Sequence, residues 1–240
     1  MESFGLSNVG SSGVNADRYY ISSDNNVYGI SDGASGAFDK VGAATICMNS
    51  ISERDYSDTG FDPIEYLKLC IKNANGKLIE KSLRDECLSF GTMTIALLDK
   101  NKLYIGAVGD TPAYLIKDNE IFKGIKPKRR YSDLIKYGVL SEEEIEAAIA
   151  LLPNQMWSQF DNFLPMIIPE IAIEVHTINT GNILIICSDG ISDWIKESED
   201  INILRTRNSI EEGCHKLLSI VYERCPSSKR DDMTIVAVKF

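Results

Sequence analysis

The sequence predicts an α+β fold, a four-layer αββα sandwich in which two antiparallel β-sheets lie face to face between helices. Three observations predict it. Apolar runs of strand length, rich in Ile, Val, Tyr and Thr, recur at 18–22, 27–31, 92–98, 103–108, 113–117, 171–178, 183–187 and 234–238. Short polar breaks at Lys100-Asn101, Asp118-Asn119 and Asn179-Thr180-Gly181 read as hairpin turns, which join antiparallel strands. The runs Ile183-Leu184-Ile185-Ile186-Cys187 and Thr94-Ile95-Ala96-Leu97-Leu98 are apolar on both alternations, so both faces of those strands are covered. Two stacked sheets with helices over their outer faces satisfy all three.

The helices carry their own start signals. Asp62-Pro63-Ile64-Glu65 combines a capping Asp, Pro at the first helical position and an acid at the third, and apolar residues follow at Ile64, Leu67, Ile71 and Leu78. Ser141-Glu142-Glu143-Glu144 is a second capping box, opening a helix to about Leu151. Ser209-Ile210-Glu211-Glu212 is a third, with a helix to about Arg224. A further helix is expected over 41–49.

The 240 residues suit a single domain over 1–240, and 44% hydrophobic content is enough for a sizeable core. A formal charge of -10 excludes non-specific binding to nucleic acid phosphates or anionic membranes. The basic run Lys123, Lys126, Lys128, Arg129 and Arg130 is the local exception and reads as a solvated loop. No basic-then-apolar leader and no apolar run near 20 residues is present, which predicts a soluble, cytoplasmic protein. Cys47, Cys70, Cys87, Cys187, Cys214 and Cys225 are scattered without a CxxC pair and read as reduced thiols, several of them buried. His176 and His215 lie far apart in sequence, so zinc chemistry built on His is not expected.

The chemistry sits in aspartates. Asp32, Asp110 and Asp189 follow predicted strands, and Asp17 and Asp231 precede them. In antiparallel sheets, strand exits lie beside strand starts, so all five are able to converge on one edge. Taken singly, Asp-Gly after a strand is a turn signal. Taken together, clustered carboxylates repel unless protonated or neutralised by cations, and an all-oxygen set suits hard ions such as Mg²⁺ or Mn²⁺. Two such ions would polarise a bound water and clamp a phosphate.

Asn15-Ala16-Asp17-Arg18, Tyr28-Gly29-Ile30-Ser31-Asp32-Gly33, Gly91-Thr92, Ile105-Gly106-Ala107-Val108-Gly109-Asp110-Thr111, the segment 132–147, Cys187-Ser188-Asp189-Gly190-Ile191-Ser192-Asp193 and Arg230-Asp231-Asp232-Met233-Thr234 follow one another in the order of a known set. The sequence resembles the type 2C metal-dependent Ser/Thr protein phosphatases (the PPM class), in their bacterial form, along nearly its whole length. The resemblance implies hydrolysis of phosphoserine and phosphothreonine on proteins phosphorylated by a Ser/Thr kinase, in signalling, with Mn²⁺ or Mg²⁺ as cofactor. It implies Asp17, Asp32, Asp189 and Asp231 as catalytic residues. Asp32 would bridge two ions, with the Gly33 carbonyl on one and Asp189 and Asp231 on the other. Asp17 would orient metal-bound water, and Asp110 would serve a third ion. It also implies a flap-like segment at about 123–165. The pattern departs at Ser12, where many members carry a phosphate-gripping Arg, and at Ala16, where the family usually has Glu. It departs again at Ala34-Ser35, where eukaryotic members have a His, and at Pro112, where an Arg is common. Those losses leave a non-catalytic, partner-binding relative as the alternative. A structural Ca²⁺-binding sandwich is a third reading, weakened by the lack of any EF-hand-like acid pattern.

Overall fold

The structure, a computed structural model, describes residues 1–24, 26–33, 39–53, 56, 60, 62–86, 89, 91–117, 120–124 and 171–240. Among them the chain forms β1 (Glu2–Asn8), β2 (Arg18–Ile21), β3 (Val27–Ser31), α1 (Lys40–Ser52), α2 (Pro63–Arg84), β4 (Met93–Asp99), β5 (Lys102–Val108), β6 (Ala113–Lys117) and β7 (Glu120–Gly124). It continues through β8 (Ala172–Thr177), β9 (Ile183–Cys187), α3 (Asp189–Ser192), α4 (Glu197–Asp200), α5 (Ile203–Thr206), α6 (Ile210–Arg224) and β10 (Met233–Lys239). One sheet has the order β1-β10-β9-β6-β7 and the other β2-β3-β4-β5-β8, and every neighbouring pair is antiparallel.

The double alternation in the sequence becomes two layers of core. From β9, Leu184 and Ile186 point between the sheets, where Val236 and Val238 of β10 meet Tyr28, Ile30, Ala96 and Ile105 of the opposite sheet. Ile183, Ile185 and Cys187 point the other way, under Leu217, Leu218 and Val221 of α6. In the second sheet Met93, Ile95 and Leu97 face outward, against Leu67, Ile71 and Leu78 of α2 and Ala43, Cys47 and Ile51 of α1. Each large apolar side chain buried in this way contributes about 1.5–3 kcal/mol. The caps act as read: Asp62 accepts from the backbone N–H groups of Ile64 and Glu65, and Ser209 from that of Glu212.

Three findings depart from the sequence reading. Strands β1 and β7 were not foreseen, because Glu2–Asn8 carries little Ile or Val and Glu120–Gly124 alternates in too short a span. The segment Asn179-Thr180-Gly181 is not a hairpin turn. It carries the chain from β8 in one sheet to β9 in the other, with Gly181 at φ +89° and its N–H on the Phe240 carbonyl. Turn-forming residues signal a reversal but not which sheet receives the next strand. Helix α1 also runs longer at both ends than the 41–49 expected. The helix expected from Ser141, the flap from residue 125 onward and Arg129 and Arg130 lie outside the described residues. No helix among the described residues is long and apolar enough to cross a membrane.

Strand β1 pairs along its length with β10, from Glu2 opposite Lys239 to Asn8 opposite Met233. The first and last strands of the sandwich are therefore neighbours, and the loop leaving β1 runs beside the turn entering β10.

Candidate metal centre

The ladders bring the five aspartates to one edge. Arg18 lies opposite Ser31, which sets Asp17 and Asp32 at the same end of the β2–β3 pair. Met93 lies opposite Val108 and Ile30 opposite Thr94, so the turn after β5 with Asp110 emerges at that end too. In the facing sheet Ile235 lies opposite Cys187, which places Asp189 near Asp231.

Each acid is held by its own local geometry. Asp32 gives its N–H to Thr92 Oγ1 and its carbonyl to the Thr92 N–H, both at 2.9 Å. Gly33 follows where a Cβ would stand 2.1 Å from the Lys40 carbonyl oxygen and 3.0 Å from that of Ala16, so only glycine fits. Asp110 is exposed and follows Gly109, whose φ is +106°. Asp189 opens α3 and is half-buried, and its Oδ1 has no partner. Asp231 is exposed, and its Oδ1 accepts from the Asp232 N–H. Asp17 is only 1% exposed, and among the described residues no donor completes a hydrogen bond to either of its carboxylate oxygens.

The charges oppose one another. Burial pushes the Asp17 carboxyl up to about 7, helped by the charges of Asp189 and Asp232. The nearby hydroxyls of Ser188 and Thr234 pull against this, yet both are engaged elsewhere. Ser188 donates to the Asp232 carbonyl, and Thr234 Oγ1 pairs with Ser7 Oγ at 2.6 Å. Asp32 stands well above the usual carboxylate range through burial and then the charges of Asp17, Asp110 and Asp231, opposed by a hydrogen bond with Asp189. Asp189 is raised likewise by burial and by Asp32, Asp110 and Asp231. The acids face one another at electrostatic range. Among the described residues, no three His, Cys, Asp or Glu side chains already close around one point. The donor set fits hard divalent cations: carboxylates whose repulsion a cation relieves, with buried oxygens lacking a donor. The thiols do not compete, since burial pushes Cys47 up to about 12 and Cys187 further.

The family model described as protein phosphatase 2C matches residues 20–132. The serine/threonine phosphatase stp of Listeria welshimeri is 25% identical over 125 residues, 50% of this chain and 46% of that protein. The serine/threonine protein phosphatase PstP of Mycobacterium tuberculosis is 21% identical over 209 residues, 86% of this chain and 39% of that protein. The matched stretch, just under half of the chain, is therefore similar to the protein phosphatase 2C family. The chain spans less than half the length of these two curated relatives. The crystal structure of the PstP catalytic domain with two manganese ions superimposes with a TM-score of 0.79 at 20% identity, covering 99% of this chain and 97% of that one, which shows the shared fold.

Within the aspartate edge, one residue escaped the sequence reading. Asp232, 3% exposed, accepts the Gly10 N–H on Oδ1 and the Ala16 N–H on Oδ2, both at 2.7 Å. It clamps the loop between β1 and β2 onto the start of β10. The signal was the Asp231-Asp232 pair itself, which does not say which acid turns inward. The same loop carries Ser12, whose hydroxyl donates to the Val14 carbonyl and closes a tight local turn. Arginines flanking the acids are spent on backbone carbonyls: Arg18 on Asn15 and Asp17, Arg230 on Cys225 and Tyr222. Ala16 is buried, and its carbonyl lies against Gly33. Residues 34 and 35 lie outside the described residues.

Proposed function

We propose that the chain is a protein phosphatase domain that hydrolyses phosphoserine and phosphothreonine on proteins, with Mn²⁺ or Mg²⁺ bound at the aspartate edge. The observation that carries this reading is the set of mutually opposed carboxylates, with the Asp17 oxygens and Asp189 Oδ1 lacking donors. Asp32 and the Gly33 carbonyl would hold one ion, Asp32, Asp189 and Asp231 a second, and Asp110 would serve a third. When bound, such ions supply a water acidic enough to attack phosphorus and neutralise charge on the phosphate oxygens. Asp17 orients water, because its two free acceptor oxygens lie buried beside Asp189. Gly33 lets the backbone approach closely enough to present its carbonyl. Asp232 keeps the loop carrying Ala16 in register with Asp231. The substrates are proteins phosphorylated by a Ser/Thr kinase, and the setting is cytoplasmic signalling.

Phosphate release from a phosphothreonine peptide tests the reading. The protein stripped with EDTA is expected to be inactive, and Mn²⁺ or Mg²⁺ to restore turnover. Full activity in EDTA would sink the proposal. A non-catalytic, partner-binding role is the second reading, favoured by Ser12, whose hydroxyl is turned onto its own loop. It predicts metal binding without turnover.

Phosphate affinity offers a further expected result. With both flanking arginines committed to carbonyls, KM for a small phosphoester should be high. Ser12→Arg adds a bidentate contact of about 1.5–3 kcal/mol, or roughly ten- to a hundredfold lower KM, with kcat changing less. Steady-state kinetics on p-nitrophenyl phosphate read both. An unchanged KM means that position 12 does not face the phosphate, or that Arg129 or Arg130 already grips it.

A further inference from the structure

Thr92 joins two acids through the two halves of one side chain. Its Oγ1 accepts the Asp32 N–H at 2.9 Å and pairs with Thr111 Oγ1 at 2.7 Å. Thr94 Oγ1 in turn donates to the Thr111 carbonyl at 2.7 Å, fixing the residue that follows Asp110. The carbon half acts on the same turn from the other side. A Cβ at Gly109 would stand 2.6 Å from Thr92 Cβ and 2.7 Å from Cγ2, so the Thr92 methyl fills the space beneath the glycine whose φ of +106° leads into Asp110. Thr92, Thr94 and Thr111 are all buried, so water does not replace a bond that is lost there.

We propose that Thr92 is a positioning residue that sets Asp32 and the Asp110 turn together and thereby sets metal affinity. The proposal rests on the metal-dependent reading above. A hydroxyl alone would hold Asp32, and a methyl alone would seat Gly109. Threonine carries both, which makes the two roles separable by substitution.

The test is Mn²⁺ binding, followed by the EPR signal of the free ion, beside phosphopeptide kinetics. The intact chain is compared with Thr92→Val, Thr92→Ser and Thr111→Val. Thr92→Val keeps the shape but strands the Asp32 N–H, and is expected to weaken Mn²⁺ binding about 10- to 100-fold, the usual size of a lost supporting contact. Its KM for peptide at saturating Mn²⁺ should stay within about twofold, because the peptide does not touch Thr92. Thr92→Ser keeps the hydroxyl but loses the methyl under Gly109, and should weaken Mn²⁺ binding less than Thr92→Val does, an order that a purely packing role would reverse. If Thr92→Val does not fold, Thr111→Val decides, since it removes only the far hydroxyl and should still weaken Mn²⁺ several-fold. Parent-like Mn²⁺ affinity in Thr92→Val, or in Thr111→Val when that variant decides, overturns the proposal alone. An unsubstituted chain that binds no Mn²⁺ overturns the metal-dependent reading with it.

Discussion

Asp189→Asn is expected to lower phosphopeptide hydrolysis by at least about 10³-fold, since the charge stabilisation an ion supplies is several kcal/mol and each 1.36 kcal/mol is tenfold in rate. The same substitution should raise the melting temperature of the EDTA-treated protein. Asp189 is half-buried among Asp32, Asp110 and Asp231, and both burial and those charges oppose its ionisation. An amide of the same shape removes that opposition. Asp231→Asn should cost activity to a similar degree but gain less stability, because Asp231 is exposed. A loss of activity accompanied by gained stability separates a functional acid from a structural one. Rates near those of the parent for both variants would mean that the site is misplaced.

Without metal, stability should fall as pH rises from about 5 to 7. Burial brings Asp17 up to about 7 in the folded chain, whereas an unfolded Asp titrates near about 4. Between those values the folded chain keeps a proton that the unfolded chain has released. This contribution is whole below the unfolded value and lost as pH passes the folded one. A shift of this size is on the order of 4 kcal/mol, at about 1.4 kcal/mol per unit. Asp32 and Asp189, raised in the same direction, add to the trend. Asp39 moves oppositely, lowered by the Gly42 N–H and by Lys81, and its loss belongs to more acid pH, outside this window. Saturating Mn²⁺ should reverse the slope, because ions bind the deprotonated carboxylates. Thermal unfolding at several pH values with EDTA and with Mn²⁺ checks both signs. A melting temperature that climbs from pH 5 to 7 in EDTA contradicts the argument.

Much of the architecture was legible because each layer writes a pattern in the chain. Ile183–Cys187, apolar on both alternations, reports two covered faces, and the structure supplies α6 on one side and the opposite sheet on the other. Asp62 and Ser209 are caps whose side chains bond where capping boxes require. The five aspartates were findable because strand ends are marked by sequence and antiparallel sheets gather their ends. What the sequence hid is what depends on long-range partners. Strand β1 is a strand by virtue of β10, not of its own residues. The turn at Asn179 looks like any reversal, yet it changes sheets. Asp232 reads as a companion of Asp231, and its inward turn follows from two N–H groups more than two hundred residues away. Thr92 looks like an ordinary strand residue until the fold puts Gly109 beside its methyl.

The pairing of the first strand with the last governs the order in which the molecule is made. The bonds from Asp232 to Gly10 and Ala16 span 222 and 216 residues. At about 5–20 residues per second, a nascent chain waits roughly 10–45 s between releasing β1 and releasing its partner. Through that interval Glu2–Asn8 has no ladder, and the loop bearing Ala16 has no clamp. Helices α1 and α2 and the β2–β3 and β4–β5 hairpins, whose contacts are local, have time to form first. The aspartate edge, drawing on both sheets, closes only when β10 docks, so a ribosome-bound chain short of Asp231 carries four of the five strands of the β10 sheet, with β1 unpaired, and an aspartate edge one acid short.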